Sequence, residues 1–202
     1  TAIPVFALRS EDDFGVGEFL DLKKMVDWAV LTGQTFLQLL PVNDTTMFGT
    51  LDDSYPYNAN SSFALHPQFI NLPAAGVPVD KEYLKLQKQL NSFVKDGRPE
   101  TDYVSVNREQ PRPLRKAFDA NWKSLSRTQA YRHFLPAPRE WLIPYSRFCA
   151  LRDEFGTPDF SQWGEFAVYD EARLERWNKS HRSETDFNCF LQFHLDLKFR
   201  QV

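Results

Sequence analysis

The sequence predicts an α/β protein: one βαβ unit, a long polar loop, then a mainly helical stretch. Three observations predict it. Two apolar runs of strand length, 2–8 and 35–42, flank an amphipathic segment. A polar, aromatic tract with neither helical nor strand period follows, from Pro41 to Pro67. Beyond Leu72 the apolar residues recur at helical spacing.

The elements are justified in order. "AIPVFAL", Ala2 to Leu8, is short, apolar and rich in branched and aromatic residues, so it reads as a buried strand over 3–8. "RSEDDFGVGEF" follows as a loop, and its acidic run beside Glu11 reads as solvated. Next, Leu22, Met25, Val26, Ala29 and Val30 share one helical face, with Asp21 near the start and Gly33 as the stop. Thr35 to Val42 is the second apolar run, stopped by Pro41, with a strand expected over 35–40. Strand, helix, strand at this spacing implies parallel strands and a right-handed crossover.

Further helices are expected over 80–97, over 113–126 with Pro113 in the first turn, and over 138–156. The last of these carries Trp141, Tyr145, Phe148 and Leu151 on one stripe and ends at Gly156. Pro144 inside it shifts the start or kinks the helix. Two more follow, 171–180 and 185–202, the latter capped by Thr185 or Asp186. After "DYVSV" the stretch from about Asn107 to Arg132 leaves the local helix boundary open. Two parallel strands cannot hide both faces and both edges. That reads as the first portion of a larger parallel-sheet enzyme; the alternative is a small α/β domain whose helices cover both strands.

Composition excludes several functions. Net charge is -3 and no basic stripe appears, so neither a nucleic-acid nor a membrane-surface partner is expected. The aromatic share is 15%, which serves cores and flat binding platforms alike, so composition does not choose between them. Cys149 and Cys189 form neither a disulfide framework nor a zinc pattern and read as buried thiols. There is no P-loop, and "GVG" at Gly15 to Gly17 is too short for a dinucleotide fingerprint. No cofactor and no metal are expected. No leader or membrane-length apolar run is visible, so a cytoplasmic protein is expected, and the sequons at Asn43, Asn60 and Asn178 read as chance.

The run "FALRSEDDFGVGEFLDLKKMVDWAVLTGQTFLQLLPVNDTT", then "DSYPYNANSSFALHP", resembles the beginning of the amylomaltases, the 4-α-glucanotransferases. It is most similar to the branch of plant cytosolic disproportionating enzymes and related bacterial proteins. "LRDEFGTPDFSQW" and "FLQFHLDLKFRQ" resemble that branch too. The resemblance implies the N-terminal portion of an interrupted (β/α)8 barrel with a mainly helical insertion. Residues 1–72 would be the first βαβ unit with its active-site loop, 73–183 the inserted subdomain, and 184–202 a helix leading back to the barrel.

The activity implied is transfer of α-1,4-linked glucosyl units between maltooligosaccharides or glucans by a retaining double displacement. That chemistry needs two carboxyl groups about 5 Å apart, a nucleophile and an acid/base. In this family they come from later barrel strands, and no stretch here resembles those motifs. No catalytic residue is therefore assigned. The chain alone is expected to be inactive, with the remainder of the same polypeptide as its partner.

The polar loop would sit at the C-terminal ends of the strands and line a sugar groove. Sugars need hydrogen bonds from short polar side chains and stacking on aromatic faces. Asn43, Asp44, Asp53, Ser54, Tyr57, Asn58 and His66 supply both. By resemblance the stretch Ser54 to Tyr57 contacts donor sugar, with Tyr57 as the platform. Tyr55 reads equally as a core residue. His66, before Pro67, reads first as a structural hydrogen-bonder. Asp53 reads as a turn cap or as a hydroxyl ligand. The competing functions are a non-catalytic glucan-binding or scaffold module, and an unrelated α/β domain with an interaction role.

Overall fold

In the computed structural model, which describes residues 1–135 and 140–202, Ala2–Ile3 (β1) and Gln38–Leu39 (β2) pair in parallel. Ala2 lies opposite Gln38 and Ile3 opposite Leu39. Helix α1, Asp21–Leu31, crosses between them, and Gly33 follows it at φ 70°. The βαβ unit is therefore present, but its strands are short. The expected strand over 3–8 gives way at Pro4, which has no N–H for a ladder. Val5–Ala7 instead form a 3-10 turn, with the Ala7 N–H donating to Pro4 O at 3.1 Å.

The loop after this turn folds straight back onto it. The Gly17 N–H donates to Phe6 O at 3.3 Å. A Cβ at Gly17 would lie 2.1 Å from Val5 O and 2.2 Å from Leu8 O, so only glycine fits. The solvated-loop expectation holds for Glu11 and Asp12 and fails for Asp13. Asp13 is buried and accepts from Ser10 N, Gly15 N and Arg9 Nε at 2.8 to 2.9 Å.

Burial of the strands is a second correction. Ala2 and Gln38 are exposed, and Ile3 and Leu39 are half-buried. Within α1, Leu22 and Ala29 are buried, while Val30 is 71% exposed. A two-stranded sheet has no second layer on its free face, so only the edge packed on the helices is covered.

Helix α2, Lys81–Asn91, starts at Asp80, whose carboxylate accepts from Tyr83 N at 2.9 Å. It stops short of the expected Gly97. Val94–Lys95 (β3) and Arg98–Pro99 (β4) form an antiparallel hairpin instead. Its turn residues, Asp96 and Gly97, have φ of 51° and 74°. Two consecutive left-handed residues match the right-handed twist of a two-residue hairpin. The open region resolves into α3 (Tyr103–Glu109), α4 (Pro111–Leu125) and α5 (Gln129–Phe134). Pro111, ahead of Pro113, takes the first position of α4.

Helix α6 is Leu142–Phe155, so Pro144 falls in the first turn, where its missing N–H has no helical partner. The start is thus shifted rather than kinked. Of the expected helix, Pro138 and Arg139 lie outside the described residues. Gly156 ends it at φ 65°. Helices α7 (Glu171–Asn178) and α8 (Arg182–Phe199) follow. Neither Thr185 nor Asp186 caps α8, which begins earlier. The Thr185 hydroxyl donates to Asn178 Oδ1 at 2.7 Å and ties α7 to α8.

The largest core joins distant parts of the chain. Phe14, Phe19 and Leu72 pack with Leu114 and Phe118 of α4 and with Phe190 and Leu195 of α8. Phe19 stacks on Phe199 with ring centroids 4.6 Å apart. This arrangement brings α6 and α8 behind the polar loop that follows β2.

Candidate functional site

The loop after β2 is closed at its base by backbone pairing. Asn43 and Leu65 form an antiparallel bridge, and His66 N donates to Val42 O at 2.9 Å. The buried Gln192 side chain of α8 grips the far strand twice. It accepts from Leu65 N at 2.9 Å and donates to Leu65 O at 2.8 Å. A side-chain amide there imitates a neighbouring strand.

Asp44 is 1% exposed, and its carboxylate is fully engaged. It accepts from Thr46 N at 3.0 Å, Asn60 Nδ2 at 3.2 Å and the Tyr145 hydroxyl of α6 at 2.8 Å. Arg152, about two turns further along the same face of α6, donates to Thr46 O at 2.8 Å. Asp53 is buried as well. Its Oδ2 accepts from the successive N–H groups of Met47, Phe48 and Gly49 at 2.9, 2.9 and 2.7 Å. It is the turn cap.

His66 is the structural hydrogen-bonder. Its Nδ1 accepts from Gln68 N at 3.1 Å, which leaves the proton on Nε2 to face the Tyr103 hydroxyl at 2.9 Å. Tyr103 donates onward to Asp53 O at 3.0 Å. Burial lowers the His66 pKa and raises that of Tyr103, so both are neutral links in one chain from α3 to the loop.

The outward side of the loop is different in kind. Tyr55 and Tyr57 are 61% and 60% exposed, with ring centroids 5.6 Å apart and planes at 50°. Within this chain Tyr55 therefore lies outside the core. Asn58 is exposed beside them and Ser54 half-buried. Asn43, Ser54 and His66 do meet, but around a hollow of about 10 Å³, room for one water at most. The structure therefore splits the seven expected residues. Tyr57 and Asn58 face out, Asn43 and Ser54 are half-covered, and Asp44, Asp53 and His66 face inward.

Tyr145, Arg152, Gln192 and Tyr103, which lock the loop from behind, were missed. Their contacts are long-range, and no local pattern announces them. The exposed Phe48, Leu51 and Phe63 of the same loop were missed as well. Chemically, the loop offers aromatic faces and neutral polar groups on a rigid base. Of its two buried carboxylates, Asp53 is engaged by the loop's own backbone N–H groups, and Asp44 by Thr46 N, Asn60 and Tyr145. Among the described residues no cluster of His, Cys, Asp or Glu could hold a metal ion, and no helix is long and apolar enough to cross a membrane.

Comparison with known proteins gives consistent findings. Residues 3–202 match the family described as 4-alpha-glucanotransferase. The chain is 38% identical over 208 residues to the 4-alpha-glucanotransferase DPE2 of Oryza sativa subsp. japonica, covering 100% of this chain and 21% of that protein. It is 28% identical over 206 residues to the 4-alpha-glucanotransferase of Chlamydia muridarum, covering 99% and 37%. Among solved structures it is similar to the amylomaltase from Streptococcus agalactiae in complex with acarbose, with a TM-score of 0.82 at 22% identity. That likeness covers 100% of this chain and 39% of the solved one. The chain thus spans well under half the length of these relatives. The fold is part of a (β/α)8 barrel carrying a mainly helical insertion.

Proposed function

The chain belongs to the 4-alpha-glucanotransferase family, and on that premise we propose that it forms a substrate-facing wall of a glucan-transferring enzyme. The whole protein moves α-1,4-linked glucosyl units between maltooligosaccharides or glucans by a retaining double displacement. One observation carries the reading: an outward tyrosine pair, Tyr55 and Tyr57, stands on a loop whose inner side is locked by buried hydrogen bonds. Rigid aromatic faces bind sugar without first having to be ordered. The acarbose complex of the streptococcal amylomaltase supports an oligosaccharide ligand.

Within this wall, Tyr57 stacks on a donor-side glucose while Asn58, Ser54 and Asn43 reach its hydroxyls. Asp44, Asp53 and His66 act through the loop they shape. The nucleophile and acid/base lie in the remainder of the same polypeptide, which also covers the exposed Val30, Leu31 and Phe36. Residues 1–72 belong to the barrel, 73–183 to the insertion, and 184–202 return to the barrel. A cytoplasmic location goes with this reading, since Cys149 and Cys189 are buried free thiols suited to a reducing compartment.

The test is the product pattern of the full-length protein on maltotriose. Transfer yields glucose together with chains longer than the substrate. Glucose and maltose without longer chains would mean hydrolysis and overturn the proposal.

A further inference from the structure

We propose that the cavity lined by α2 and α4 is a binding site for a small amphipathic anion, an apolar body of about ring size that carries one carboxylate. The site lies away from the loop after β2, and the inference does not depend on the sugar-binding reading of that loop.

The cavity measures about 210 Å³. Its walls are mostly apolar. Phe14, Val77, Tyr83 and Ala117 line it and are otherwise buried, and the Phe14 and Tyr83 rings lie 5.3 Å apart. Helix α4 contributes Ala117 and Ala120, so it leaves space where a larger side chain would fill it. The walls are also fixed. The Asp80 carboxylate caps α2 through Tyr83 N at 2.9 Å. Further along α2, Gln87 Nε2 donates to the carbonyls of Asp12 and Asp13 at 3.0 Å, and Asn91 Nδ2 donates to Asp13 O at 3.1 Å. These bonds tie α2 to the loop that carries Phe14. An apolar cavity of about 150 Å³ accepts benzene, so this one has room for a ring with a short tail. A ligand entering it need not first order its walls.

The rim selects the charge. Arg112 and Lys116 stand one turn apart on α4, and both pair with Glu82 of α2, at 3.2 and 3.1 Å. The other lining carboxylates are engaged. Asp80 holds the cap of α2, and Glu109 accepts from Arg108 Nε at 2.9 Å. Two cations thus share one carboxylate beside an apolar pocket. A ligand carboxylate completes the set, whereas an ammonium group would compete with Arg112 and Lys116 for Glu82.

The experiment is a ligand-observed NMR titration of the full-length protein with 4-phenylbutyrate and with its neutral counterpart, 4-phenylbutan-1-ol. The parent is compared with Ala120→Phe, with the double variant Arg112→Gln and Lys116→Gln, and with Glu82→Gln. All four positions are exposed, so melting temperatures should agree closely. The acid should bind the parent with a Kd on the order of a millimolar, about two- to five-fold more tightly than the alcohol. Ala120→Phe fills the cavity and should weaken both ligands by about ten-fold or more. The double variant should bring the acid down to the level of the alcohol. Glu82→Gln frees both cations, so it should tighten the acid about two- to five-fold and leave the alcohol unchanged. A parent that binds neither ligand overturns the proposal, as does acid binding that survives Ala120→Phe. Equal binding of acid and alcohol by the parent overturns it too, as does Glu82→Gln that fails to tighten the acid.

Discussion

Asp53 and Tyr57 lie close together on one long loop and face opposite ways. The Asp53 carboxylate collects three backbone N–H groups, while the Tyr57 ring meets solvent. Truncating Tyr57 therefore touches binding and spares the fold. Tyr57→Ala in the full-length protein should weaken maltooligosaccharide affinity roughly ten-fold, the equivalent of about 1.4 kcal/mol. Its melting temperature should barely move. Tyr57→Phe should keep most of the affinity, because stacking survives. Wild-type affinity in Tyr57→Ala together with a much lower melting point would mark a structural ring instead.

Glu18 is the opposite case, a titratable residue with no outward role. It is buried, its Oε1 has no partner, and its Oε2 accepts from Asn71 Nδ2 at 2.6 Å. Burial raises its pKa well above the usual carboxylate value, the Asn71 bond opposes this, and the Asp21 and Asp13 carboxylates reinforce it. The unfolded chain releases this proton near pH 4.5, whereas the folded chain retains it. The stabilising contribution is full below that pH and drains away as pH rises toward the folded value. Glu18→Gln cannot ionise, so its melting temperature relative to wild type should climb as pH is raised above 4.5. A difference that stays flat with pH would contradict the assignment.

At the scale of elements, the loop after β2 is shaped by helices that follow it far along the chain. Tyr145 and Arg152 of α6 and Gln192 of α8 hold Asp44, Thr46 and Leu65. Tyr145→Phe removes one of the donors to a buried carboxylate, which costs about 1–3 kcal/mol. Urea unfolding should show that loss, and amide exchange between Asp44 and Asn60 should quicken. Unchanged stability would mean that α6 does not brace the loop. This is also where sequence reading reached its limit. Helices α1, α2, α4, α6, α7 and α8 were legible because apolar spacing and caps are local signals. The hairpin of β3 and β4 was missed although Asp96-Gly97 announces it, since the helical pattern ahead of it was carried through. The structural roles of Asp53 and His66 were legible as one of two readings, whereas the inward turn of Asp44 was not, because a polar residue in a loop looks the same whether it meets solvent or its own backbone.

For the whole molecule, the legible part was the βαβ frame and the position of a polar loop at its strand ends. Strand burial was not legible, because it depends on layers that two strands do not provide. Leu31 and Phe36 stand 86% and 72% exposed beside that sheet. Large apolar side chains left this exposed favour association. The chain expressed alone should self-associate in light scattering at concentrations where the full-length protein stays monodisperse or keeps its native assembly. Equal behaviour of the two would argue against a covered face. The central claim, that this chain binds glucan and leaves catalysis to carboxylates elsewhere in the polypeptide, is tested most directly by one side-by-side assay. The 202-residue chain and the full-length protein are each incubated with maltotriose, and the products are separated by length. The account predicts glucose and lengthened maltooligosaccharides from the full-length protein and unchanged maltotriose from the chain alone. Disproportionation by the chain alone, with contaminating enzyme excluded, would contradict it.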